Sequence, residues 1–296
     1  MHGWLILDKP LGLGSTQGVS AVKRALRTGG YAKVKVGHGG TLDPLASGVL
    51  PIALGEATKI TGRMLDADKA YDFTIKFGEE TDTLDAEGPV IAASDVRPTL
   101  AEVEAVLGQF TGPIAQVPPA YSALKVDGQR AYDLARAGET VELKSRDVTI
   151  HALDLLDFDG ESATFAACVS KGTYIRSLAR DIAYALGTVG HVTMLRRVKA
   201  GPFTLETAIS LDKLDEAATG GGIAQLMLPL TAGLDDIPAL AVSPDDALAL
   251  RQGKVLVGKP HTGLLLAMEG ETPVALVEAS GPETLREIRV VRGFNL

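Results

Sequence analysis

Alternating hydrophobic and polar positions predict several β-strands in the first two thirds of the chain. From Tyr71 to Phe77 every second residue is aromatic or aliphatic, and the residues between them are Asp, Thr and Lys. A period of two is typical of a strand that buries one face. Trp4–Leu7, Ala163–Val169 and the segment HVTMLRRV, which starts at His191, are predicted strands as well.

Between these strands, apolar residues spaced three or four apart predict α-helices. The first helix begins at Ser15 or Thr16. A second follows Thr99, because a Thr with Glu102 three residues later forms a capping box. A third, YIRSLARDIAYALG, ends at Gly187, which suits the left-handed conformation that closes many helices.

Helices and strands alternate irregularly, with several direct strand-to-strand connections, so we expect an α+β fold with a mixed, mainly antiparallel central sheet. The segment 238–244 is rich in turn-forming residues. It is followed by short apolar runs (VLVG, GLLLAM, VALVEA, EIRVVRG) separated by Gly and Pro, which favour a small all-β domain. We therefore expect two domains, 1–237 and 238–296.

Composition narrows the class of protein. The 296 residues are long enough for about two domains, and no apolar run approaches the ~20 residues that cross a bilayer. The first residues, MHGWLILDKP, are charged too early for a signal peptide. Cys168 is the only cysteine, which excludes an internal disulfide and a cysteine-rich zinc site. We expect a cytoplasmic protein without a metal.

The net charge of −8 argues mildly against a nucleic-acid partner, but its distribution is uneven. Two stretches, 9–35 and 171–199, are strongly basic, and acidic residues concentrate elsewhere. Each stretch is either a solvated face or a surface for RNA phosphates. The basic residues are Lys9, Lys23, Arg24, Arg27, Lys33 and Lys35 in the first, and Lys171, Arg176, Arg180, Arg196, Arg197 and Lys199, with Asp181, in the second.

The Gly-rich segment GLGSTQG, between a predicted strand and a helix, fits a loose dinucleotide-binding pattern. Lys9-Pro10 interrupts the junction, and no acid follows at the spacing that binds a ribose hydroxyl. A plain turn, or backbone amides that bind an RNA phosphate, explains the segment better.

In the segment GHGGTLDPLASGVLPIALGEATK, Asp43 is the only acidic residue before Glu56, and most of its neighbours are small. The following proline keeps Asp43 extended or in a turn, because the α conformation is disfavoured before proline. The small neighbours let a planar group approach the carboxylate. From local chemistry alone, an ordinary turn is the stronger interpretation.

That segment closely resembles the catalytic motif of the TruB family, the tRNA pseudouridine-55 synthases, G-H-x-G-x-L-D-P-x-A-x-G. Further segments resemble the same family in the same order, and together they cover most of residues 3–205. Gly14 and Gly39 depart from the family pattern, which has Thr and Thr or Ser there. The other segments are LILDKPLGLGST, KAYDFTIKFGEETDTLDAEG, QVPPAYSALKVDGQRAYDLARAG, SKGTYIRSLARDIAYALG and HVTMLRRVKAGPF.

The resemblance implies a pseudouridine synthase fold, a shortened PUA-like RNA-binding domain at the C-terminus, and no cofactor. A structural cap on the first domain is the alternative for the C-terminal segment. The expected partner is then the T-arm of tRNA. We expect the protein to be a monomer that needs no obligate protein partner and does not bind a membrane. The basic segments 23–35 and 196–199 would bind its phosphates.

The resemblance also gives roles to six residues. Asp43 is the carboxylate that acts on a flipped-out uridine, and Arg176 is the cation that keeps it ionised. Tyr71 stacks on the base and takes part in a late proton transfer. Tyr174 and Leu195 line the base pocket, and His38 enters the space that the base leaves in the RNA loop.

Two rival functions belong to other classes. The first is a non-enzymatic tRNA-binding or folding protein, which would keep the fold of the family but lack its catalytic activity. A glycosidase could pair Asp43 with Asp82 or Asp85, but it would need more carbohydrate-stacking aromatics than the 5% present here.

Overall fold

The structure, a computed structural model, describes residues 1–122, 124–126, 129–137, 143–257, 261–282 and 286–296. Its helices are α1 (Ser15–Thr28), α2 (Thr61–Asp66), α3 (Leu100–Val106), α4 (Ala131–Arg136), α5 (Ile175–Ala185), α6 (Leu211–Gly220) and α7 (Pro244–Arg251). Its strands are β1 (Gly3–Lys9), β2 (Val36–His38), β3 (Ala46–Leu54), β4 (Lys69–Phe77), β5 (Glu79–Thr81), β6 (Val90–Ala93), β7 (Gly112–Gln116), β8 (Lys125–Val126), β9 (Gln129–Arg130), β10 (Arg146–Phe158), β11 (Ser162–Val169), β12 (Gly190–Ala200), β13 (Phe203–Thr204), β14 (Leu228–Pro229), β15 (Ala239–Ala241), β16 (Leu256–Val257), β17 (Gly263–Glu269), β18 (Thr272–Ser280) and β19 (Glu287–Gly293).

The predicted strands of the first two thirds join one large sheet, in the order β14-β1-β3-β12-β4-β11-β10-β7. Among the described residues of this sheet, β3 and β12 run parallel and the other paired strands run antiparallel. This confirms the expected α+β class with a mixed, mainly antiparallel sheet. The parallel pair matters for the site, because it brings the start of β3 beside the middle of β12.

Both faces of the large sheet are covered, and β1 shows how. Its residues alternate between two apolar clusters. Leu5 and Leu7 belong to the cluster that also holds residues of α1, α3, α5 and α6, and Trp4 and Ile6 belong to the one that holds residues of α2 and of the C-terminal strands. Trp4 is fully buried against Phe203, with ring centroids 5.2 Å apart. A sheet buried on both sides is a rigid support for residues at its strand ends.

The C-terminal segment forms a separate five-stranded sheet, in the order β15-β17-β18-β19-β16, with an apolar cluster of its own. The expected β domain is therefore present. It also contains a helix that the sequence did not predict, α7, capped by Ser243. Leu266 and Leu276 of this sheet pack with Trp4 against the large sheet.

Local signals placed the ends of two helices correctly. Thr99 and Glu102 form the capping box of α3, with the Thr99 amide donating to the Glu102 carboxylate at 2.7 Å. Gly187 follows α5 with φ of 72°. Within the described part of the chain, no helix is both long and apolar enough to cross a membrane.

Gly48 supports a stability prediction. It has φ of +99°, and a Cβ added there would lie 2.2 Å from the Arg197 carbonyl oxygen on β12. Gly48→Ala should lower the free energy of unfolding by about 3 kcal/mol, since backbone strain and steric overlap both oppose it. The measurement is denaturant unfolding of both proteins.

Gly30→Ala is the matched control. Gly30 also has positive φ, +73°, but among the described residues no atom beyond its chain neighbours lies within 4 Å of its added Cβ. It should lose only about 1 kcal/mol, from strain alone. Equal losses at the two positions would contradict the close strand contact at Gly48.

Candidate active site

Asp43 lies in the connection between β2 and β3, and side chains from other elements hold the backbone around it. The hydroxyl of Ser15, the first residue of α1, accepts from the Leu42 amide at 2.7 Å and lies 2.9 Å from the Leu42 carbonyl. The Pro44 carbonyl accepts from the Gly12 amide at 2.8 Å. The Gly-rich turn after β1 therefore supports the Asp43 segment. β1 pairs antiparallel with β3, which is not the parallel arrangement of a dinucleotide-binding fold.

Arg176 contacts Asp43, as the resemblance implied. It belongs to the first turn of α5, and its Nη2 lies 2.8 Å from Asp43 Oδ2. The Arg176 side chain is only 7% exposed, whereas that of Asp43 is 42% exposed. A buried cation thus holds one oxygen of a carboxylate that remains open to a ligand.

The Arg176 guanidinium has further partners that the sequence did not reveal. It donates to the carbonyls of Thr83 at 2.8 Å and Tyr121 at 2.9 Å, and its Nη1 lies 3.4 Å from Asp85 Oδ2. Asp85 is 2% exposed. It belongs to the acidic run TDTLDAEG, where nothing in sequence spacing separates it from its neighbours. The planar fork of arginine suits such a set of acceptors.

Five of the six residues expected at the site line one cavity of about 290 Å³: Asp43, Tyr71, Tyr174, Arg176 and Leu195. The volume is near the lower end of the roughly 300–1,000 Å³ typical of small-molecule sites. His38 does not belong to this lining. It lies half-buried at the end of β2, where burial and the nearby Arg197 lower its pKa.

The sheet positions the aromatic and aliphatic walls of the cavity. Phe73, Ile75 and Phe77 of β4 are fully buried, and Tyr71 continues their face at the cavity. On the neighbouring strand β12, Leu195 pairs in register with Phe73. Tyr71 and Leu195 therefore present an apolar surface beside the carboxylate.

Gln116, which the sequence did not single out, fixes the backbone of Tyr174. Its side-chain amide donates to the Tyr174 carbonyl at 3.1 Å and accepts from the Tyr174 amide at 2.8 Å. Gln116 is fully buried. Because Tyr174 precedes α5 directly, this pair also fixes the start of the helix that carries Arg176. Burial raises the pKa of the Tyr174 hydroxyl.

Some of the basic residues expected to bind phosphates have other partners. Arg197 is 1% exposed and donates to backbone carbonyls, and Arg196 pairs with both oxygens of Asp8 at 2.8 and 3.0 Å. Lys9, which lies outside the two segments expected to bind phosphates, is buried and donates to the carbonyls of Pro10 and Leu13, and burial lowers its pKa to about 8. The expectation that the segment 196–199 binds phosphates was wrong for Arg197, because sequence does not show that its side chain turns inward.

The basic face of α1 is different. Lys23, Arg24 and Arg27 are exposed, as are Lys33 and Lys35 in the segment that follows. These residues remain available to an anionic partner.

Comparisons with known proteins agree with this geometry. A family model described as TruB family pseudouridylate synthase (N terminal domain) matches residues 23–175. A second, described as tRNA pseudouridylate synthase B C-terminal domain, matches residues 176–235. The two matched ranges together include Asp43, Tyr71, Tyr174, Arg176 and Leu195 of the cavity.

Curated relatives match over the full length of the chain. The chain is 65% identical to tRNA pseudouridine synthase B of Zymomonas mobilis, over 100% of this chain and 96% of that protein. It is 66% identical to the protein of the same name from Novosphingobium aromaticivorans, over 100% and 98%.

Solved structures of similar fold cover the chain as well. An archaeal box H/ACA sRNP Nop10–Cbf5 complex matches with a TM-score of 0.74 at 25% identity, over 99% of this chain and 86% of that one. An H/ACA RNP bound to a substrate RNA containing 2′-deoxyuridine matches with a TM-score of 0.74 at 26% identity, over 99% and 85%. On the family models and the full-length relatives together, this chain belongs to the TruB family of tRNA pseudouridine synthases.

Proposed function

We propose that this synthase converts the uridine at position 55 in the T-loop of tRNA to pseudouridine, with Asp43 as the reacting carboxylate. The observation that carries the proposal is the Asp43–Arg176 contact of 2.8 Å at a cavity lined by Tyr71 and Leu195. The names of the curated relatives support tRNA as the substrate.

The reaction is an isomerisation. The bond between C1′ and N1 breaks, the uracil turns, and C1′ bonds to C5, while C5 loses its proton and N1 gains one. Electrons are neither added nor removed, so no redox cofactor is required. A carboxylate can attack the sugar or the base, or remove a sugar proton, and each route needs Asp43 ionised.

Arg176 pairs with one oxygen of the Asp43 carboxylate at 2.8 Å and holds it in place. The other acceptors of Arg176 prevent its guanidinium from turning away. Asp43 lines the cavity, and Arg176 holds it through Oδ2, so the other oxygen is proposed to act on the substrate.

The target uridine must leave the stacked T-loop, at a cost of a few kcal/mol. Tyr71 replaces part of the lost stacking, since a base on an aromatic ring gains about 1–3 kcal/mol. Leu195 and Tyr174 enclose the base on other sides. His38, outside the cavity lining, enters the space that the base leaves in the RNA.

The RNA beyond the base contacts the rest of the molecule. Exposed basic residues of α1 bind phosphates, which form most protein–nucleic acid contacts. The catalytic domain is 1–237, and 238–296 is a PUA-like RNA-binding domain. Two features support this boundary: the C-terminal sheet has an apolar cluster of its own, and the second family model ends at residue 235. We further propose that the enzyme acts as a monomer in the cytoplasm, where its tRNA substrate is found.

A first prediction concerns Asp43. Asp43→Asn keeps the shape of the side chain but removes its charge, so turnover should fall below detection while tRNA binding stays within about three-fold of the parent. The measurement is tritium release from C5 of uridine-labelled tRNA.

The exposed Asp154→Asn on β10 is the control and should release tritium at the parental rate. Comparable release by Asp43→Asn would refute its catalytic role. The parent should release tritium at one position, whereas a non-catalytic RNA-binding protein releases none and a sugar hydrolase leaves the RNA unchanged.

A second prediction concerns Arg176. Arg176→Lys keeps a positive charge but loses the fork that serves Asp43, Asp85 and two carbonyls. We expect kcat to fall by about 10²–10³, the usual loss when one preorganised donor is removed, with little change in KM.

Arg180→Lys, one helical turn later, is the control and should keep the parental kcat. Arg180 pairs with Asp181 rather than with Asp43. If Arg176→Lys weakened only the affinity for tRNA, Arg176 would be a phosphate ligand instead.

A third prediction separates the ring of Tyr71 from its hydroxyl. Tyr71→Phe keeps the stacking surface, so it should bind tRNA normally and lower kcat. Tyr71→Ala should lose a further ~1–3 kcal/mol in kcat/KM, the value of base stacking. Equal kcat/KM for the two variants would show that the ring does not stack on the base.

A further inference from the structure

Arg197 is a buried cation without an acidic partner. It is 1% exposed, and within the described part of the chain no carboxylate oxygen lies within 4.0 Å of its guanidinium. Burying a charge is unfavourable unless hydrogen bonds compensate it. Here the compensating acceptors are backbone carbonyls, and their positions indicate what the residue does.

These carbonyls lie on both sides of Asp43 in the chain. The Arg197 Nε donates to the Val49 carbonyl at 2.8 Å, Nη1 to that of Thr41 at 3.3 Å, and Nη2 to that of Gly40 at 3.4 Å. One rigid, planar group therefore joins the beginning and the end of the segment 40–49. Because the donors of a guanidinium have fixed relative positions, the two ends of the segment are held at a fixed separation.

The main chain of Arg197 contacts the same segment. In the parallel pairing of β3 and β12, Arg197 is opposite Gly48, and a Cβ on Gly48 would lie 2.2 Å from the Arg197 carbonyl oxygen. On its other side Arg197 is opposite Tyr71 of β4. β12 thus places one residue between the Asp43 segment and the stacking tyrosine.

Arg197 also lines the cavity together with Leu195, two residues earlier on β12. Its hydrogen bonds, however, go to protein carbonyls. With its side chain buried in this way, it is not a ligand for the RNA backbone.

We propose that Arg197 is a positioning residue for catalysis: by clamping the carbonyls of Gly40, Thr41 and Val49, it sets the Asp43 carboxylate opposite the reacting base. It acts through the backbone of the segment 40–49 rather than by binding an RNA phosphate. The inference rests on the proposed role of Asp43.

The variant that tests it is Arg197→Lys. Lysine keeps the charge and most of the apolar stem, so the protein should still fold, but an ammonium cannot bridge the two ends of the segment in one plane. We expect kcat to fall about ten-fold, with the Kd for tRNA within two-fold of the parent. Arg197→Met, which lacks every donor, should lose about 100-fold in kcat, the effect of a misplacement of about 1 Å at a reacting group.

The readouts are single-turnover tritium release with saturating enzyme, tRNA affinity by filter binding, and Tm. Arg97→Lys is the matched control, since Arg97 pairs with Glu161 at an exposed position, and it should keep the parental kcat and Kd. A kcat for folded Arg197→Lys within two-fold of the parent would overturn the proposal. A weaker Kd with unchanged kcat would also overturn it and make Arg197 an RNA ligand.

Arg197→Met removes the donors to three backbone carbonyls and lowers stability as well, so the lysine variant decides the question. A Tm loss in Arg197→Lys with full kcat at 20 °C would assign Arg197 a structural role and overturn the proposal. The Asp43→Asn result keeps the two hypotheses apart. If Asp43→Asn stays active, the proposed function is wrong. If Asp43→Asn is inactive but Arg197→Lys is fully active, only the proposed role of Arg197 is wrong.

Discussion

The contact between Arg176 and Asp43 is the interaction on which the candidate site depends. The Nη2 of Arg176 lies 2.8 Å from Asp43 Oδ2 and fixes the position of that carboxylate. Arg176 is almost fully buried, so other groups must stabilise its charge as well. Asp85 and the carbonyls of Thr83 and Tyr121 supply that stabilisation. The ion pair is therefore part of a network in which one cation fixes two carboxylates.

Asp43 and Arg176 belong to different parts of the fold. Asp43 lies in the connection that leads into β3, and Arg176 lies in the first turn of α5, whose start is fixed by Gln116. The parallel pairing of β3 with β12 places Leu195 beside the start of β3. Three buried cations near the cavity, Lys9, Lys69 and Arg197, are bonded to backbone carbonyls. Backbone positions around the cavity are thus set by charged hydrogen bonds, which are stronger than neutral ones.

The sequence predicted the parts of the fold that local physics determines. The period of two in β4 and the capping box at Thr99 each depend on residues close in the chain, and both appear as expected. Helix α7 was missed because its pattern of Ala and Leu is short and lies among strand-like segments. The resemblance, rather than periodicity, led to Asp43 and Arg176, since a lone Asp-Pro step is usually an ordinary turn.

Asp85, Gln116 and the inward direction of Arg197 could not be predicted in the same way. Each is defined by partners 50 or more residues away, and its residue type is common on protein surfaces. The charge of the segment 196–199 even suggested the opposite role for Arg197. Long-range hydrogen bonds of buried polar groups are visible only once the sheet has brought their partners together.

Asp43 is proposed here as the carboxylate that reacts with a uridine flipped into the cavity. The most direct test is a crystal structure of the Asp43→Asn protein with a T-arm RNA hairpin. We expect the target uracil to lie in the cavity against Tyr71, with the residue 43 side chain within about 3.5 Å of the ribose or the base of that nucleotide, the separation of groups poised to react. A uracil that stays stacked in the RNA loop, or one that lies in the cavity far from residue 43, would contradict it.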